Sequence, residues 1–128
     1  MTDCIFCKIV KGEVPCNKIW EDENFIAMLD INPINPGHTL VLLKKHADYI
    51  FDLGDKEYQD LMLAVKKIAK IIKSRLNPKR VGIVVEGFLI PHVHVHLVPI
   101  NHGNELNPER ARPSNKEELE KIAMEIRK

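Results

Sequence analysis

The sequence lacks the features that mark membrane, secreted and strongly charged proteins. Lysine and arginine number 19 against 18 aspartate and glutamate residues, a formal net charge of only +1. No excess of either sign therefore favours nucleic acid or an anionic membrane as the main partner. The longest apolar runs fall well short of the roughly 20 residues of a membrane-spanning helix, and the N-terminus lacks the basic-then-apolar order of a signal peptide. We expect a cytoplasmic protein.

Cysteine is also scarce. The three cysteines, Cys4, Cys7 and Cys16, cannot all pair with one another. A chain of 128 residues is long enough to form one domain whose core needs no disulfide bonds. The spacing Cys4-x-x-Cys7 instead brings two thiolates close enough for one zinc ion, whose structural sites use four sulfur or nitrogen ligands. Two unliganded thiols packed in the core are the alternative, and a redox pair is less favoured because no strand precedes Cys4.

Hydrophobic periodicity predicts five strands and three helices. The strands are expected at 18–20, 25–29, 38–43, 81–85 and 92–98. The helices are expected as a short turn over 4–12 ended by Gly12, a long helix over 55–76 capped by Asp55 and stopped by Asn77-Pro78, and a C-terminal helix where Ser114 and Glu117 have capping-box spacing. Because strands and helices do not alternate regularly, the order predicts an α+β fold with an antiparallel five-stranded sheet, one long helix and short N- and C-terminal helices.

Three of the six histidines alternate with aliphatic residues in one predicted strand. An extended strand presents His92, His94 and His96 from one face and packs the aliphatic residues on the other. Packing alone explains this pattern poorly, because clustered imidazoles repel one another when protonated and need partners when buried. The outer two lie about 13 Å apart along such a strand, so one zinc ion held by all three is disfavoured. The row predicts a catalytic site with at least one metal-free imidazole.

The segment HVHVHLV at 92–98 resembles the signature of the histidine-triad (HIT) superfamily of nucleotide hydrolases and transferases. Five further segments resemble its Hint branch, in the same order: CIFCKI at 4–9, WED at 20–22, LDINP at 29–33, PGHTLV at 36–41 and KKH at 44–46. The resemblance covers residues 1–102 of what we expect to be a single HIT domain over 1–128. It assigns no role to the C-terminal loop and helix at 103–128.

The resemblance implies a HIT-like fold and chemistry at the α-phosphate of a purine nucleotide carrying an AMP or GMP moiety. His94 would attack the phosphorus and form a nucleotidyl-histidine, which water then hydrolyses. His96 and His38 would bind the phosphoryl oxygens and assist proton transfer. The implied substrates are nucleoside phosphoramidates or dinucleoside polyphosphates.

The resemblance also implies a structural zinc ion, a nucleoside site and a homodimer in which two sheets join across a two-fold axis. The zinc ligands would be Cys4, Cys7, His46 and His92. The nucleoside would lie against Ile5, Phe6, Ile9, Asp30 and Ile31. A carboxylate suits the paired ribose hydroxyls, whereas the apolar members are equally compatible with an ordinary core. For the homodimer the sequence offers only the apolar face of the helix over 55–76 and unpaired strand edges.

One segment departs from the family pattern. Many relatives carry an Asn and then a Gly-Gln-Ser/Thr-like segment before the triad, but residues 85–91 here are shorter and almost wholly apolar. Contacts to the phosphate or leaving group are therefore missing or relocated, and Glu86 is the one substitute candidate. Two other functions stay open: a metal-dependent hydrolase whose triad binds a catalytic ion, and a nucleotide-binding module with little turnover.

Overall fold

A five-stranded antiparallel sheet organises the protein. The structure is a computed structural model and describes residues 4–128. The strands are β1 (Lys18–Glu21), β2 (Phe25–Leu29), β3 (Thr39–Leu43), β4 (Arg80–Val84) and β5 (His94–Ile100). Their order in the sheet is β1-β2-β3-β5-β4, and each neighbouring pair is antiparallel. The helices are α1 (Ile5–Val10), α2 (Asp55–Leu76) and α3 (Lys116–Arg127), with 3-10 turns at Ile50–Asp52 and Pro108–Arg110. The predicted α+β fold is confirmed.

The two faces of the sheet pack against different helices. The larger core lies between the sheet and helices α2 and α3, and it contains the aliphatic residues that alternate with the histidines: Val93, Val95 and Leu97. A smaller core on the opposite face contains residues of β2 and β3 together with Phe6 of α1. The histidines of β5 therefore share their face of the sheet with α1. None of the helices within residues 4–128 has both the length and the apolar character needed to cross a membrane.

The histidine strand begins at His94, two residues later than the alternation predicts. Just before the strand, Val93 makes backbone hydrogen bonds to the end of β3 and to the segment that follows it. Its amide donates to the Ala47 carbonyl at 2.7 Å, and its carbonyl accepts from the Leu43 amide at 3.4 Å. The amide of His92 turns back to Ile90, at 2.8 Å. Residues 92 and 93 thus continue the alternation of side chains without the regular ladder of β5.

Two predicted helix caps are wrong by one residue. Asp55 is the first residue of α2 and Gly54 occupies the cap position, with no side-chain hydrogen bond. At α3 the cap is Asn115, whose side-chain oxygen accepts from the Glu118 amide at 2.8 Å. The amide of Ser114 instead donates to a carbonyl of an earlier loop, and this tertiary contact takes precedence over the local capping pattern.

The predicted stop of the long helix is confirmed. Asn77 takes a left-handed conformation with φ of 55° and its amide closes the last turn onto the carbonyl of Lys73. Asparagine tolerates this conformation, and Pro78 cannot continue the helix. The chain then returns directly into β4, next to β5.

Candidate active site

His94 is held in one tautomer by the backbone just before its strand. Its Nδ1 lies 2.7 Å from the carbonyl oxygen of His92. Because a carbonyl oxygen only accepts hydrogen bonds, Nδ1 carries the proton and the lone pair lies on Nε2. The ring of Phe6 packs edge-on against His94 with 5.0 Å between centroids. This arrangement fixes the orientation of the ring and leaves Nε2 available, as nucleophilic attack requires.

His38 and His96 form a directional pair beside it. The amide of Ile34 donates to Nδ1 of His38 at 3.0 Å, so a neutral His38 carries its proton on Nε2. That nitrogen lies 3.0 Å from Nδ1 of His96, which therefore accepts and leaves the His96 proton on Nε2. Burial lowers the pKa of His38, partly offset by Asp30, and burial, with smaller contributions from His94 and His38, lowers the pKa of His96 to about 4. Both rings are neutral near pH 7.

The carboxylate of Asp30 joins this pair but does not complete a convincing metal site. Asp30 Oδ2 lies 3.5 Å from Nε2 of His38, and Asp30, His38 and His96 place their potential ligand atoms close together. Nδ1 of His38 already accepts a backbone hydrogen bond, so a metal on Nε2 would require this ring to lose that bond or its only proton. The geometry fits a proton relay better than a metal centre.

A second cluster does fit a metal. Nδ1 of His92 lies 3.4 Å from Sγ of Cys4 and 3.6 Å from Sγ of Cys7, and Nδ1 of His46 lies 3.2 Å from Sγ of Cys7. Ligand atoms arranged tetrahedrally around zinc at bond lengths of 2.0–2.3 Å are about 3.3–3.8 Å apart, which agrees with these distances. Nε2 of His92 donates to the Leu43 carbonyl at 2.6 Å, so the lone pair of His92 faces the thiols.

The chemistry of these four side chains also supports a metal site. His92 is fully buried, with 0% of its surface exposed, and burial followed by the Cys4 thiol raises the pKa of Cys7. The charge of Lys11 offsets this effect on Cys7 only in part, whereas a divalent metal ion would stabilise both thiols in their ionised form. Cys4, Cys7, His46 and His92 could therefore hold a metal ion.

The three histidines of the row do not converge on one point. His92 directs Nδ1 to the thiols, His94 directs Nδ1 to a backbone carbonyl, and His96 directs Nδ1 to His38. To bind one catalytic ion together with His94 and His96, His92 would have to give up its contacts to the thiols or its hydrogen bond to the Leu43 carbonyl.

A cavity of about 710 Å³ opens beside His94 and His96. Its size lies within the usual range for small-molecule sites. All five residues expected at the nucleoside line it: Ile5, Phe6, Ile9, Asp30 and Ile31. Ile5 and Ile31 are exposed, while Phe6 also belongs to the smaller core. Another cavity, of about 600 Å³, lies between β1 and α3 and contains no histidine.

Electrostatically, the histidine cavity is poor in positive charge. None of the residues lining it within the described chain is a lysine or arginine, and its two carboxylates are Asp30 and Glu86. Its rim includes the apolar segment before the triad, in which Phe88 and Leu89 are 91% and 93% exposed. Pro108, from the segment to which the sequence assigned no role, also lines it. No local pattern predicts that contribution, because it depends on how distant loops meet.

The chain is similar in sequence and in fold to known proteins. The sequence model of the HIT domain matches residues 11–103. An adenosine 5′-monophosphoramidase of Schizosaccharomyces pombe is 39% identical over 101 residues, covering 75% of this chain and 73% of that protein. A HIT-like protein involved in cell-cycle regulation from Bartonella henselae, crystallised with an unknown ligand, superposes with a TM-score of 0.87 at 31% identity, covering 99% and 96% of the two chains. A zinc-bound histidine triad family protein from Mycobacterium smegmatis gives a TM-score of 0.82 at 32% identity, covering 98% and 91%.

Proposed function

Because the chain belongs to the HIT domain family, we propose that it is a nucleotide hydrolase acting at the α-phosphate of a purine nucleoside phosphoramidate. The orientation of His94 carries the proposal: its Nδ1 is fixed on the His92 carbonyl at 2.7 Å, and its free Nε2 belongs to a ring that lines the cavity. The nucleoside lies against Ile5, Phe6 and Ile9, with Asp30 accepting from the ribose hydroxyls.

In the first step Nε2 of His94 attacks the α-phosphorus while the bond between phosphorus and the leaving nitrogen breaks. The bound phosphate anion raises the pKa of His96 against the effect of burial, so His96 takes up a proton on Nδ1 in place of the hydrogen bond from His38 and passes its Nε2 proton to the departing amine. The nucleotidyl-histidine carries a positive ring, which the His92 carbonyl stabilises through Nδ1–H.

In the second step water replaces the amine. It returns one proton to His96 as its oxygen bonds to phosphorus, and the bond between His94 and phosphorus breaks to release the nucleoside monophosphate. His38 orients the neutral His96 ring before the reaction, since Nε2 of His38 donates to Nδ1 of His96 at 3.0 Å.

The charge of the cavity favours an amine over a polyphosphate as the leaving group. The second half of a dinucleoside polyphosphate leaves as a multiply charged anion. Among residues 4–128 the cavity lining offers it Asp30 and Glu86 but no lysine or arginine. Like charges brought together in a partly enclosed site repel strongly. An amine leaves uncharged, so the phosphoramidate class meets no such penalty. The S. pombe relative named adenosine 5′-monophosphoramidase supports this choice.

We propose zinc as the metal of the Cys4, Cys7, His46 and His92 cluster, in a structural role. The Zn-bound neighbour from M. smegmatis supports this assignment, as does the fit of the four donor atoms. A closed four-ligand set leaves no position for substrate. The zinc ion would anchor His92, whose carbonyl in turn orients His94.

We further propose a homodimer. The strand β4 lies at an edge of the sheet, and Ile83 on β4 is an exposed apolar residue. An unpaired edge of this kind is suited to pairing with a second copy of the chain. Light scattering on the purified protein tests this, and a monomer at all concentrations would contradict it.

The decisive experiment mixes purified protein with adenosine 5′-phosphoramidate and follows both turnover and protein mass. We expect an adenylate adduct on His94 in rapidly quenched samples, and loss of turnover in His94→Ala with unchanged zinc content. His102→Ala is the matched control, because His102 is exposed and does not line the cavity. Full activity in His94→Ala refutes the assignment. Activity that needs a removable ion and forms no adduct would instead favour the metal-dependent hydrolase.

A further inference from the structure

The segment that follows β5 crosses the loop that leads to His38. The amide of Ser114 donates to the Ile31 carbonyl at 3.0 Å, and the amide of Arg112 donates to the Pro33 carbonyl at 3.3 Å. Two antiparallel backbone hydrogen bonds therefore tie the C-terminal segment to residues 31–33. This places the segment beside the proposed proton relay.

Next to these bonds, Asn35, Glu105 and Arg110 form a polar cluster, here called the Asn35 cluster. The side-chain amide of Asn35 donates to the Pro99 carbonyl at 2.8 Å and to Glu105 Oε2 at 3.3 Å, and its oxygen accepts from Nη2 of Arg110 at 3.0 Å. Nη1 of Arg110 donates to the Glu105 carbonyl at 2.8 Å. The amide nitrogen and the oxygen of the Asn35 side chain thus both have partners, and Asn35 is fixed to β5 and to the C-terminal segment together.

Glu105 is anchored independently of Arg110. One of its carboxylate oxygens accepts from the amides of Asn101 and His102, which close the turn after β5. These backbone donors lower the pKa of Glu105. The carboxylate is therefore ionised near neutral pH, and it anchors the cluster to the turn after β5.

Asn35 acts on His38 through the backbone. Its carbonyl accepts from the His38 amide at 3.0 Å, and the carbonyl of His38 accepts from the Asp30 amide at 2.9 Å. Its neighbour Ile34 supplies the amide that sets the tautomer of His38. A shift of Asn35 would therefore displace both the ring of His38 and the donor that fixes its proton.

We propose that the Asn35 cluster positions the His38 relay, and that Arg110 is a positioning residue for the reaction at His94. This inference rests on the proposed function and gives a role to the segment after residue 102. A guanidinium suits the task because its planar fork reaches the Glu105 carbonyl and the Asn35 oxygen together. A lysine amine is a single point charge and does not reproduce that geometry.

The test compares Arg110→Ala with Arg112→Ala. The guanidinium of Arg112 donates to the carbonyls of Glu109 and Ala111, inside its own segment, so this variant is a matched control. We expect Arg110→Ala to lower kcat for adenosine 5′-phosphoramidate about tenfold, the loss typical of charge-assisted hydrogen bonds. The Kd for AMP should change less than kcat does, because Ile5, Phe6 and Ile9, the apolar wall of the nucleoside site, lie on α1 and not in the segments of the cluster. Arg110→Lys should recover only part of the loss.

Coupling and spectroscopy separate positioning from a general structural role. The double variant Asn35→Ala/Arg110→Ala should be no slower than the slower single variant, because both changes disable one unit. In ring ¹⁵N spectra, His38 should show one neutral tautomer in the wild type and in Arg112→Ala, and a mixture in Arg110→Ala.

Any of three results would overturn the inference: unchanged kcat in Arg110→Ala, equal losses in Arg110→Ala and Arg112→Ala, or an unaltered His38 spectrum in Arg110→Ala. A wild type that forms no adduct with the phosphoramidate defeats the proposed function instead, and the spectra then still decide whether the cluster holds His38.

Discussion

Replacing His96 by glutamine should flatten the pH dependence of stability. His96 is partly buried and its pKa is lowered to about 4 by burial and then by His94 and His38, from an ordinary value of 6.5. Glutamine keeps an oxygen that accepts from Nε2 of His38, but it does not titrate. The substitution therefore removes one proton-binding group while leaving the hydrogen bond to His38 in place.

The direction of the effect follows from the lowered pKa. Above about pH 6.5 the ring is neutral in both the folded and the unfolded chain, so its full contribution is present. Between about pH 6.5 and pH 4 the unfolded chain takes up a proton that the folded protein does not. The free energy of unfolding then falls by up to about 1.4 kcal/mol per pH unit, or roughly 2 kcal/mol between about pH 7 and pH 5. Below about pH 4 this loss levels off.

The assay is urea unfolding of wild type and His96→Gln at matched zinc content, from neutral pH to about pH 5. All other histidines are present in both proteins, so the difference between the two curves isolates His96. We expect the wild type to lose roughly 2 kcal/mol more than the variant over this range. Parallel curves would refute the argument, since they would show that His96 binds its proton equally well in the folded and unfolded states.

Three further predictions concern the metal, the leaving group and the fold. Cys7→Ser should lose bound zinc, measured by mass spectrometry under native conditions, and should unfold at lower temperature; full zinc retention would contradict the assigned ligand set. Adenosine 5′-phosphoramidate should exceed diadenosine tetraphosphate in kcat/KM, and Glu86→Lys should narrow that ratio; a wild-type preference for the tetraphosphate would contradict the charge argument. Gly37→Ala should destabilise the protein by roughly 2 kcal/mol or more in urea unfolding. The reason is that φ at Gly37 is +93° and a Cβ there lies 2.4 Å from a methyl carbon of Leu76. An unchanged unfolding midpoint would contradict this, because it would show that Leu76 at the end of α2 moves aside without cost.

The sequence predicts the fold well where local periodicity decides it. The alternation around the histidines and the helical spacing over 55–76 are local patterns, and both correspond to elements of the structure. Caps are less predictable: Ser114 has the expected spacing, yet its amide bonds to Ile31, which lies far away in the sequence. That helix boundary depends on a hydrogen bond between residues far apart in the sequence. Local sequence patterns around Ser114 therefore cannot predict it.

The same distinction applies to the candidate site. The spacing of Cys4 and Cys7 and the histidine row point to a metal and to catalysis, because donors a few residues apart on one element stay together in any fold of that element. Arg110 and Asn35 are 75 residues apart in the sequence, and neither belongs to a recognisable motif. Their contact depends on the path of two loops, so it emerges only from the structure.

The three histidines differ in which ring nitrogen, if any, donates a hydrogen bond to a backbone carbonyl. His92 donates to a carbonyl through Nε2, so Nδ1 is left for the thiols. His94 donates through Nδ1, so the free lone pair lies on Nε2. His96 makes neither bond; its Nδ1 accepts from His38, so its proton lies on Nε2. Alternation in a strand gives all three the same face, but only these hydrogen bonds distinguish a ring suited to a metal, one suited to nucleophilic attack and one suited to proton transfer.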